Sequence, residues 1–157
     1  MTPTPRPLYI FDLDGTLALI DHRRGILEER KDPHRWRDFF AACVRDQPNT
    51  PVIQTMANLR LTAEVQIWSG RSDEVWDETV AWLQEHTPLL KHDIESMLTM
   101  RAAGDYTPDE ELKAQWLESL SPGDRGRLLA VFDDRDKVVA MWRARGVPCF
   151  QVAPGGF

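Results

Sequence analysis

Short apolar runs alternate along the chain with segments in which apolar residues recur at helical spacing. The first run, Leu8-Tyr9-Ile10-Phe11, is uninterrupted, which is typical of a central parallel strand buried on both faces. Four later runs predict further strands at residues 65–68, 97–100, 128–132 and 149–152. This alternation predicts an α/β fold with three layers, in which helices cover both faces of a Rossmann-like parallel five-stranded sheet.

Capping residues and prolines mark where helices begin. Asp32-Pro33 predicts a helix over residues 33–45 whose aromatic side chains, Trp36, Phe39 and Phe40, belong to the core. Thr107-Pro108-Asp109-Glu110 has the form of a capping box and predicts a helix that continues to residue 120. Other helices are predicted to begin at Pro51 and Ser72, and a last one covers residues 135–145.

The composition fits one globular domain. The 157 residues are 42% hydrophobic and 28% charged, and no apolar run approaches the roughly 18 residues that a membrane-spanning helix requires. Residues 1–7 lack the long apolar stretch of a secretory signal. We therefore expect a single domain over residues 1–157, a cytoplasmic location and no membrane partner, whereas the sequence does not predict the oligomeric state.

Charge and cysteine content narrow the possible partners. A net charge of −6 disfavours broad, nonspecific binding to nucleic acid, which needs a basic surface, but it leaves room for a small arginine-lined pocket. Cys43 and Cys149 form no CxxC motif. We therefore predict two buried thiols, and neither a zinc site nor a disulfide.

The residues that carry candidate chemistry follow the predicted strands. Parallel strands end at one edge of a sheet, where such folds bind ligands. The residues at these strand ends are Asp12-Leu13-Asp14-Gly15-Thr16 after the first, Ser69-Gly70-Arg71 after the second, Arg101 at the third and Asp133-Asp134-Arg135 after the fourth. They are predicted to line one crevice.

Four crowded carboxylates, those of Asp12, Asp14, Asp133 and Asp134, repel one another and predict a bound cation. Oxygen ligands favour Mg²⁺ over zinc. Phosphoryl transfer uses this combination of Mg²⁺, carboxylates and cationic side chains. One carboxylate can attack phosphorus to form an aspartyl-phosphate, and a second one, two residues further on, can protonate the leaving oxygen and later activate water.

Several of these residues also have a purely structural interpretation. Asp133-Asp134 could cap the last helix, and Ser69 and Gly70 are ordinary turn residues. Lys113 could be a solvated helix lysine that borders the buried face. Asp109 is favoured in the first turn of a helix by the helix dipole alone.

The order of these groups, a strand followed by DxDGT, then Ser-Gly-Arg, Lys113 and Asp-Asp, resembles the four motifs of the haloacid dehalogenase superfamily. Within that superfamily, residues 133–153 are similar to the end of the phosphatase domain of phage-type polynucleotide kinase/phosphatase. Residues that fall at the spacings of that domain are Arg23, Arg71, Arg101, Gly104, Asp105, Asp109 and Lys113. The resemblance covers nearly the full chain and implies a haloacid dehalogenase-like fold.

The resemblance also implies roles for these residues. Asp12 would be the nucleophile and Asp14 the general acid/base, with Mg²⁺ held by the Asp12 carboxylate, the Asp14 backbone carbonyl and the Asp133/Asp134 pair. The residues implied in holding phosphate, positioning the substrate or bracing the site are Thr16, Ser69, Gly70, Lys113, Arg23, Arg71, Arg101 and Asp109. The activity implied is removal of a 3′-phosphate from DNA or RNA ends.

The chain departs from the phage domain in two ways that affect function. It contains no G-x-x-x-x-G-K-[ST] motif, so we expect no kinase domain in this chain and 5′-phosphorylation would need another protein. Residues 17–49 form a longer segment, which we predict to be a small helical cap insert. Substrate choice in this superfamily depends on such inserts.

Three other functions stay open. A phosphatase of free nucleotides or of another small phosphoester is favoured by the acidic net charge. A phosphotransferase would pass the aspartyl-phosphate to an acceptor other than water. A noncatalytic binding module would keep the fold alone, and the intact set of site carboxylates argues against it.

Overall fold

A computed structural model of the chain describes residues 2–157. Its strands, in chain order, are β1 (Leu8–Phe11), β2 (Ala18–Leu19), β3 (Gln47–Pro48), β4 (Glu64–Ser72), β5 (Leu98–Arg101), β6 (Leu128–Asp133) and β7 (Cys149–Gln151). Its α-helices are α1 (Asp21–Glu29), α2 (Arg35–Ala41), α3 (Thr50–Leu59), α4 (Trp76–His86), α5 (Lys91–Met97), α6 (Asp109–Glu118), α7 (Pro122–Arg127) and α8 (Asp136–Ala144). Short 3-10 helices lie at Ala42–Arg45 and Asp73–Val75.

The main sheet has five strands in the order β5-β4-β1-β6-β7, and every neighbouring pair is parallel. The predicted parallel five-stranded sheet is thereby confirmed. β1 lies at the centre, which explains its uninterrupted apolar sequence, because both of its faces are covered. All five strands end at the same edge of the sheet.

Helices pack on both faces of this sheet. One face carries a core to which α3, α4 and α5 contribute Ile53, Met56, Leu83 and Ile94, among others. The other face carries a core built from α6 and α8, with Trp142 completely buried. The three-layer α/β architecture predicted from the alternating pattern is therefore confirmed.

Residues 17–49 form a helical insert whose two ends are joined. β2 and β3 pair in antiparallel fashion, with Ala18 opposite Pro48 and Leu19 opposite Gln47. Between them lie α1, α2 and a 3-10 helix, so the single helix predicted over residues 33–45 is divided. That this insert acts as a cap over a substrate stays a prediction.

The prediction that the aromatic residues of α2 belong to the core is only partly correct. Phe39 is buried, but Trp36 is 41% exposed. The helix is short and lies at the surface, so only the face that carries Phe39 reaches the interior. Trp36 instead packs edge-on against Phe39, with 6.1 Å between the ring centroids.

The predicted capping box at residues 107–110 does not form. α6 begins at Asp109, and no side chain caps it. The physical reason is that the backbone groups of Thr107 have other partners. Arg101 Nη1 donates to the Thr107 carbonyl at 2.5 Å, and the Thr107 amide donates to Asp105 Oδ1 at 2.9 Å. Thr107 therefore belongs to the loop before the helix.

Two further expectations concern the cysteines and membranes. Cys43 and Cys149 are buried free thiols, as predicted. Among residues 2–157, no helix has both the length and the apolar character needed to cross a membrane.

Candidate active site

The ends of β1 and β6 bring the predicted catalytic residues together. Asp12 follows β1, and its amide donates to the Phe132 carbonyl at 2.9 Å. Asp133 is the last residue of β6. Because β1 and β6 are neighbours in the sheet, the two carboxylates meet at its edge, as the parallel arrangement predicted.

Three carboxylates form a compact cluster there. Asp12, Asp133 and Asp134 are buried, and each offers one oxygen such that the three oxygens lie within 4.8 Å of one another. Lys113, on α6, is also buried, and its Nζ donates to Asp12 Oδ1 at 2.7 Å and to Asp133 Oδ2 at 2.9 Å. Lys113 is therefore part of the cluster and not a solvated helix lysine.

The electrostatics of this cluster favour an added cation. Burial raises the pKa of Asp12 well above its usual value, and the charge of Asp133 raises it further, while Lys113 offsets part of this. Burial and the charge of Asp133 likewise raise the pKa of Asp134, to about 7. A single lysine does not balance three buried carboxylates. A donor set made only of oxygens fits a hard divalent ion such as Mg²⁺.

Asp133 and Asp134 differ in how much of their hydrogen-bonding capacity is used. Asp133 Oδ1 accepts the amide of Asp134 at 2.9 Å, and its Oδ2 accepts Lys113 Nζ and Trp142 Nε1. Within residues 2–157, Asp134 has one long side-chain contact, from Thr16 Oγ1 at 3.4 Å. Asp134 therefore has the carboxylate with spare capacity for a cation. Neither aspartate caps α8 through its side chain.

Gly15 allows Asp134 to approach the DxDGT turn. Gly15 has φ +84°, and a Cβ at this position would overlap the Asp134 carboxylate. Both the backbone conformation and the close approach require glycine. Thr16 completes this part of the site, since its Oγ1 also lies 3.4 Å from Asp12 Oδ2.

Asp14 lies in a different environment from the other three carboxylates. Its Oδ1 accepts Arg23 Nη2 at 2.6 Å and Arg71 Nε at 2.8 Å. Burial alone would raise the pKa of Asp14, but the charges and hydrogen bonds of Arg71 and Arg23 outweigh it and lower the pKa to about 2. Asp14 is therefore ionised at neutral pH.

Asp46, which the sequence analysis missed, holds the same two arginines. It accepts Arg23 Nε and Nη2, both at 2.8 Å, and Arg71 Nη2 at 2.9 Å. His22 Nε2 lies 2.7 Å from its Oδ1, and Trp82 Nε1 donates to its backbone carbonyl at 2.9 Å. No motif marks Asp46. The available signal was charge balance, because two arginines buried with Asp14 need a second carboxylate.

Arg23 and Arg71 were predicted to position the substrate or to brace the site. Both side chains are completely buried. Arg23 stacks over the Phe39 ring, with 4.3 Å from Cζ to the centroid, and Arg71 Nη1 donates to Thr79 Oγ1 at 3.1 Å. The structure thus places the two arginines against Asp14 and Asp46, and direct contact with a substrate stays a prediction.

A second group of site residues surrounds the Ser69-Gly70-Arg71 segment, which lies within the last part of β4 and not, as had been predicted, after the strand. Ser69 is buried, and its Oγ accepts the Arg71 amide at 3.2 Å. Arg101 Nε donates to the Gly70 carbonyl at 2.8 Å, and Arg101 Nη2 donates to Asp109 Oδ1 at 2.5 Å. A Cβ at Gly70 would overlap the Asp109 carboxylate, so glycine is needed for this packing.

Asp109 is shared with Arg135, which the sequence placed in the crevice but to which it assigned no role. Arg135 Nη1 donates to Asp109 Oδ2 at 3.0 Å. Arg135 directly follows Asp134, so the chain Arg101–Asp109–Arg135 links the end of β5 to the end of β6. The position of Arg135 directly after the Asp-Asp pair had placed it at this edge, and the structure adds its contact with Asp109.

The fold and this arrangement of carboxylates and lysine define a class, the phosphatases of the haloacid dehalogenase fold, which are hydrolases of phosphoric monoesters. A class C acid phosphatase from Bacillus anthracis has the same fold, with a TM-score of 0.61 and 12% identity over 99% of this chain and 69% of that chain. Within this class the chain belongs to the family described as the polynucleotide kinase PNKP phosphatase domain, whose family model matches residues 6–157. The proposed resemblance is thereby confirmed.

Two more similar proteins are larger than this chain. A chain in the structure of the Pnkp1/Rnl/Hen1 RNA repair complex has a TM-score of 0.71 and 30% identity over 97% of this chain and 44% of that chain. A protein of Autographa californica nuclear polyhedrosis virus, provisionally described as a bifunctional polynucleotide kinase/RNA ligase, is 29% identical over 140 residues. Those residues are 87% of this chain and 18% of the viral protein. The chain therefore corresponds to a part of each relative.

Proposed function

We propose that this chain is a Mg²⁺-dependent phosphomonoesterase that removes 3′-phosphates from DNA or RNA ends through an aspartyl-phosphate on Asp12. The observation that carries the proposal is the contact of Lys113 with both Asp12 and Asp133, beside the free carboxylate of Asp134. A carboxylate that can act as nucleophile, a buried positive charge and oxygens suited to a cation therefore lie in one cluster, which supports the proposal. Membership of the family of polynucleotide kinase phosphatase domains supports the same activity.

In the first step Asp12 is the nucleophile. Lys113 donates to Asp12 Oδ1, which favours the ionised carboxylate. A carboxylate oxygen of Asp12 forms a bond to phosphorus, and the bond between phosphorus and the 3′-oxygen of the substrate breaks. The electron pair of that bond stays on the 3′-oxygen, which then takes up a proton.

In the second step Asp14 acts on water. The water oxygen attacks the phosphorus of the aspartyl-phosphate, its proton passes to Asp14, and inorganic phosphate leaves with the carboxylate of Asp12 restored. The pKa of about 2 keeps Asp14 ionised at neutral pH, which supports the role of base in this step. To protonate the leaving oxygen in the first step, Asp14 must first bind a proton against the pull of Arg23 and Arg71.

The unused hydrogen-bonding capacity of Asp134 supports its role as a metal ligand. Asp12 and Asp134 would hold Mg²⁺ through their carboxylates and Asp14 through its backbone carbonyl, while Asp133 keeps Lys113 in position. Bound there, Mg²⁺ would neutralise negative charge on the transferring phosphoryl group. Thr16, which contacts Asp12 and Asp134, and Ser69, which is buried on β4 next to β1, would hold phosphoryl oxygens together with Lys113. Gly70, Arg101 and Asp109 would shape the wall next to them.

A nucleic-acid end is the substrate that the comparisons support best. The viral relative is described as a polynucleotide kinase/RNA ligase, and the other relative is a chain of an RNA repair complex. A free nucleotide is the second candidate, and the net charge of −6 favours it, since an acidic surface repels a polyanion. A protein that holds several backbone phosphates loses affinity steeply as salt rises, whereas one that holds a mononucleotide does not.

The test is release of inorganic phosphate with and without Mg²⁺. The substrates are matched oligonucleotides with a 3′- or a 5′-phosphate and a 3′-mononucleotide, each at low and high salt. Asp12→Asn serves as the blank, and Asp77→Asn, on the exposed surface of α4, serves as the matched control. We expect Mg²⁺-dependent release mainly from the 3′-phosphorylated oligonucleotide. Release by Asp12→Asn at the rate of Asp77→Asn would overturn the mechanism, and release only from the mononucleotide would overturn the substrate.

A further inference from the structure

Tyr106 exposes an aromatic ring on a loop that is otherwise held firmly in place. Tyr106 is 88% exposed, the highest value among the exposed large hydrophobic residues of the described chain. It lies in the segment 102–108 between β5 and α6. Because β5 ends at the same edge of the sheet as β1 and β6, this loop lies at the edge that carries the carboxylate cluster.

Arg101 fixes the backbone on both sides of Tyr106. Its Nη1 donates to the carbonyl of Asp105 at 3.1 Å and to the carbonyl of Thr107 at 2.5 Å. The Asp105 carboxylate closes the turn by accepting the Thr107 amide at 2.9 Å. The ring of Tyr106 therefore projects from a preformed turn, and ordering the loop adds little to the cost of binding a ligand there.

The same arginine ties this turn to the phosphate-binding segment. Arg101 Nε donates to the carbonyl of Gly70, the residue after Ser69, and Ala103 donates its amide to Asp73 Oδ1 at 2.9 Å. Asp109, at the other end of the loop, packs against Gly70. The position of Tyr106 is thus coupled through the Arg101 side chain to the part of β4 proposed to hold the transferring phosphate.

The composition of the loop favours binding a ligand by stacking rather than by charge. Residues 102–108 contain no lysine or arginine, and the Arg101 guanidinium is paired with Asp109. This loop therefore cannot attract further backbone phosphates of a polyanion. An exposed aromatic ring on a backbone that hydrogen bonds hold in place, at the sheet edge that carries the carboxylate cluster, instead offers a surface on which a base can stack. Such stacking does not depend on base identity or on charge.

We propose that Tyr106 forms a nucleobase subsite, in which its ring stacks on the base of the nucleotide whose 3′-phosphate enters the carboxylate cluster. This inference rests on the proposed function, since it requires a substrate that carries a base. The shared ligand chemistry is a 3′-phosphorylated nucleotide, either at the end of a polynucleotide or free. The subsite would recognise the nucleoside part of the substrate without selecting among bases.

Kinetics on paired substrates test the subsite. The substrates are a 3′-phosphorylated oligonucleotide, the same oligonucleotide with an abasic 3′-terminal sugar, and a 3′-mononucleotide. We expect Tyr106→Ala to raise KM from about 5-fold to about 150-fold on a base-bearing substrate, the range that stacking on one base supplies. kcat changes little, because the stacking contact is equally strong in the ground state and in the transition state. The oligonucleotide and the mononucleotide distinguish the two sources of the ligand.

Three comparisons separate stacking from a structural role. Tyr106→Phe rescues KM, because it presents the same ring. The effect of Tyr106→Ala disappears on the abasic substrate, and on the base-bearing substrates it is the same at low and high salt. Leu61→Ala is the matched control, since Leu61 is 81% exposed in the turn between α3 and β4, at the opposite edge of the sheet. An equal rise in KM on the abasic substrate, or none on either base-bearing substrate, overturns the proposal.

A binding measurement keeps this test independent of turnover. An oligonucleotide with 2-aminopurine at its 3′-phosphorylated end is titrated with Asp12→Asn protein, and stacking on Tyr106 quenches its fluorescence. Quenching that is lost in Asp12→Asn/Tyr106→Ala supports the subsite even when wild-type protein releases no phosphate from nucleotides, an outcome that contradicts the proposed function alone. Equal quenching by both proteins contradicts the subsite alone.

Discussion

Asp46 and Asp14 are bridged by the same two guanidinium groups. Arg23 Nη2 lies 2.6 Å from Asp14 Oδ1 and 2.8 Å from Asp46 Oδ2. Arg71 reaches Asp14 through Nε at 2.8 Å and Asp46 through Nη2 at 2.9 Å. Two positive and two negative charges thus balance in a buried group. Asp46, a residue of the helical insert, therefore helps to hold the two guanidinium groups that orient Asp14 and lower its pKa.

Asp46→Asn should weaken both the fold and the reaction. The substitution keeps the size of the side chain but leaves two buried guanidinium groups with one carboxylate. An unpaired buried charge costs about 3–5 kcal/mol of unfolding free energy, and a misplaced reacting group costs about 10²-fold in rate. We expect a lower midpoint of thermal unfolding and a lower kcat, with a smaller change in KM. Unfolding by differential scanning calorimetry and phosphate release check these outcomes.

Asp38→Asn is the control for this substitution. Asp38 also accepts an arginine, Arg30 Nη1 at 2.6 Å, but its side chain is about half exposed. Exposed ion pairs contribute little because water and salt screen them. Asp38→Asn should therefore behave like the wild type. If the two variants unfolded at the same temperature and turned over at the same rate, Asp46 would have no supporting role.

Lys113→Met should abolish catalysis while keeping the length of the side chain. Without the contacts of Nζ to Asp12 and Asp133, three buried carboxylates have no lysine among them. We expect kcat to fall by at least about 10²-fold, the usual cost of removing one electrostatic stabiliser of a transition state. The unfolding midpoint should fall more in EDTA than in Mg²⁺, because bound Mg²⁺ supplies compensating charge.

Lys137→Met controls for loss of a lysine. Lys137 is exposed on α8, three residues after Asp134. Lys137→Met should leave kcat unchanged, as well as the difference in unfolding midpoint between EDTA and Mg²⁺. Near wild-type turnover by Lys113→Met, or equal destabilisation with and without Mg²⁺, would contradict the role given to Lys113.

The strands were predictable from sequence because the physical requirement on them is severe. A central parallel strand is buried on both faces and must be apolar throughout, as Leu8–Phe11 is. The DxDGT residues, Ser69 and the Asp-Asp pair were then located by topology, because parallel strands end at one edge. Lys113 was found through its place in the sequence motif and not through any feature of α6 itself.

Other parts of the structure left no such pattern in the sequence. α1 has the sequence DHRRGILEE, whose polar residues hide the buried side chain of Arg23. Asp46 lies between a 3-10 helix and a two-residue strand, where no periodicity exists. Its role follows from contacts with residues distant in the chain. Trp36 was misjudged because helical spacing gives the face of a helix but not how far the rest of the protein covers it.

Gly70→Ala should disturb the wall of the site without touching the carboxylate cluster. The added Cβ would overlap the Asp109 carboxylate, which holds Arg101 and Arg135. Forcing an extra carbon into a packed site costs about 1–3 kcal/mol. We expect a lower unfolding midpoint and a higher KM, because the loop that Arg101 anchors is displaced.

Gly126→Ala is the control, since a Cβ there meets nothing within 4 Å and alanine favours the helix α7. A midpoint for Gly70→Ala as high as that of Gly126→Ala would contradict the packing argument.

The unfolding free energy and Mg²⁺ binding should both depend on pH, because both depend on the protonation of Asp134. The pKa of Asp134 is raised to about 7 in the fold, from an ordinary value of 3.8. Between these values the folded, metal-free protein binds more protons at this site than the unfolded chain, so its unfolding free energy falls as pH rises from about 4 to about 7. Asp14 acts in the opposite sense at lower pH, since its pKa is lowered to about 2 and the stability it adds is lost as pH falls through that value.

Mg²⁺ should reverse the loss of stability because it binds the ionised carboxylates and displaces the proton. We expect the difference in unfolding midpoint between Mg²⁺ and EDTA to widen as pH rises from 5 toward about 7, the pH at which Asp134 ionises, and then to level off. Samples are matched in ionic strength with NaCl, so that screening does not imitate binding. Asp134→Asn should remove most of the difference, whereas Asp136→Asn, on the exposed first turn of α8, should keep it. A difference that is constant with pH, or that survives in Asp134→Asn, would show that Mg²⁺ binds elsewhere.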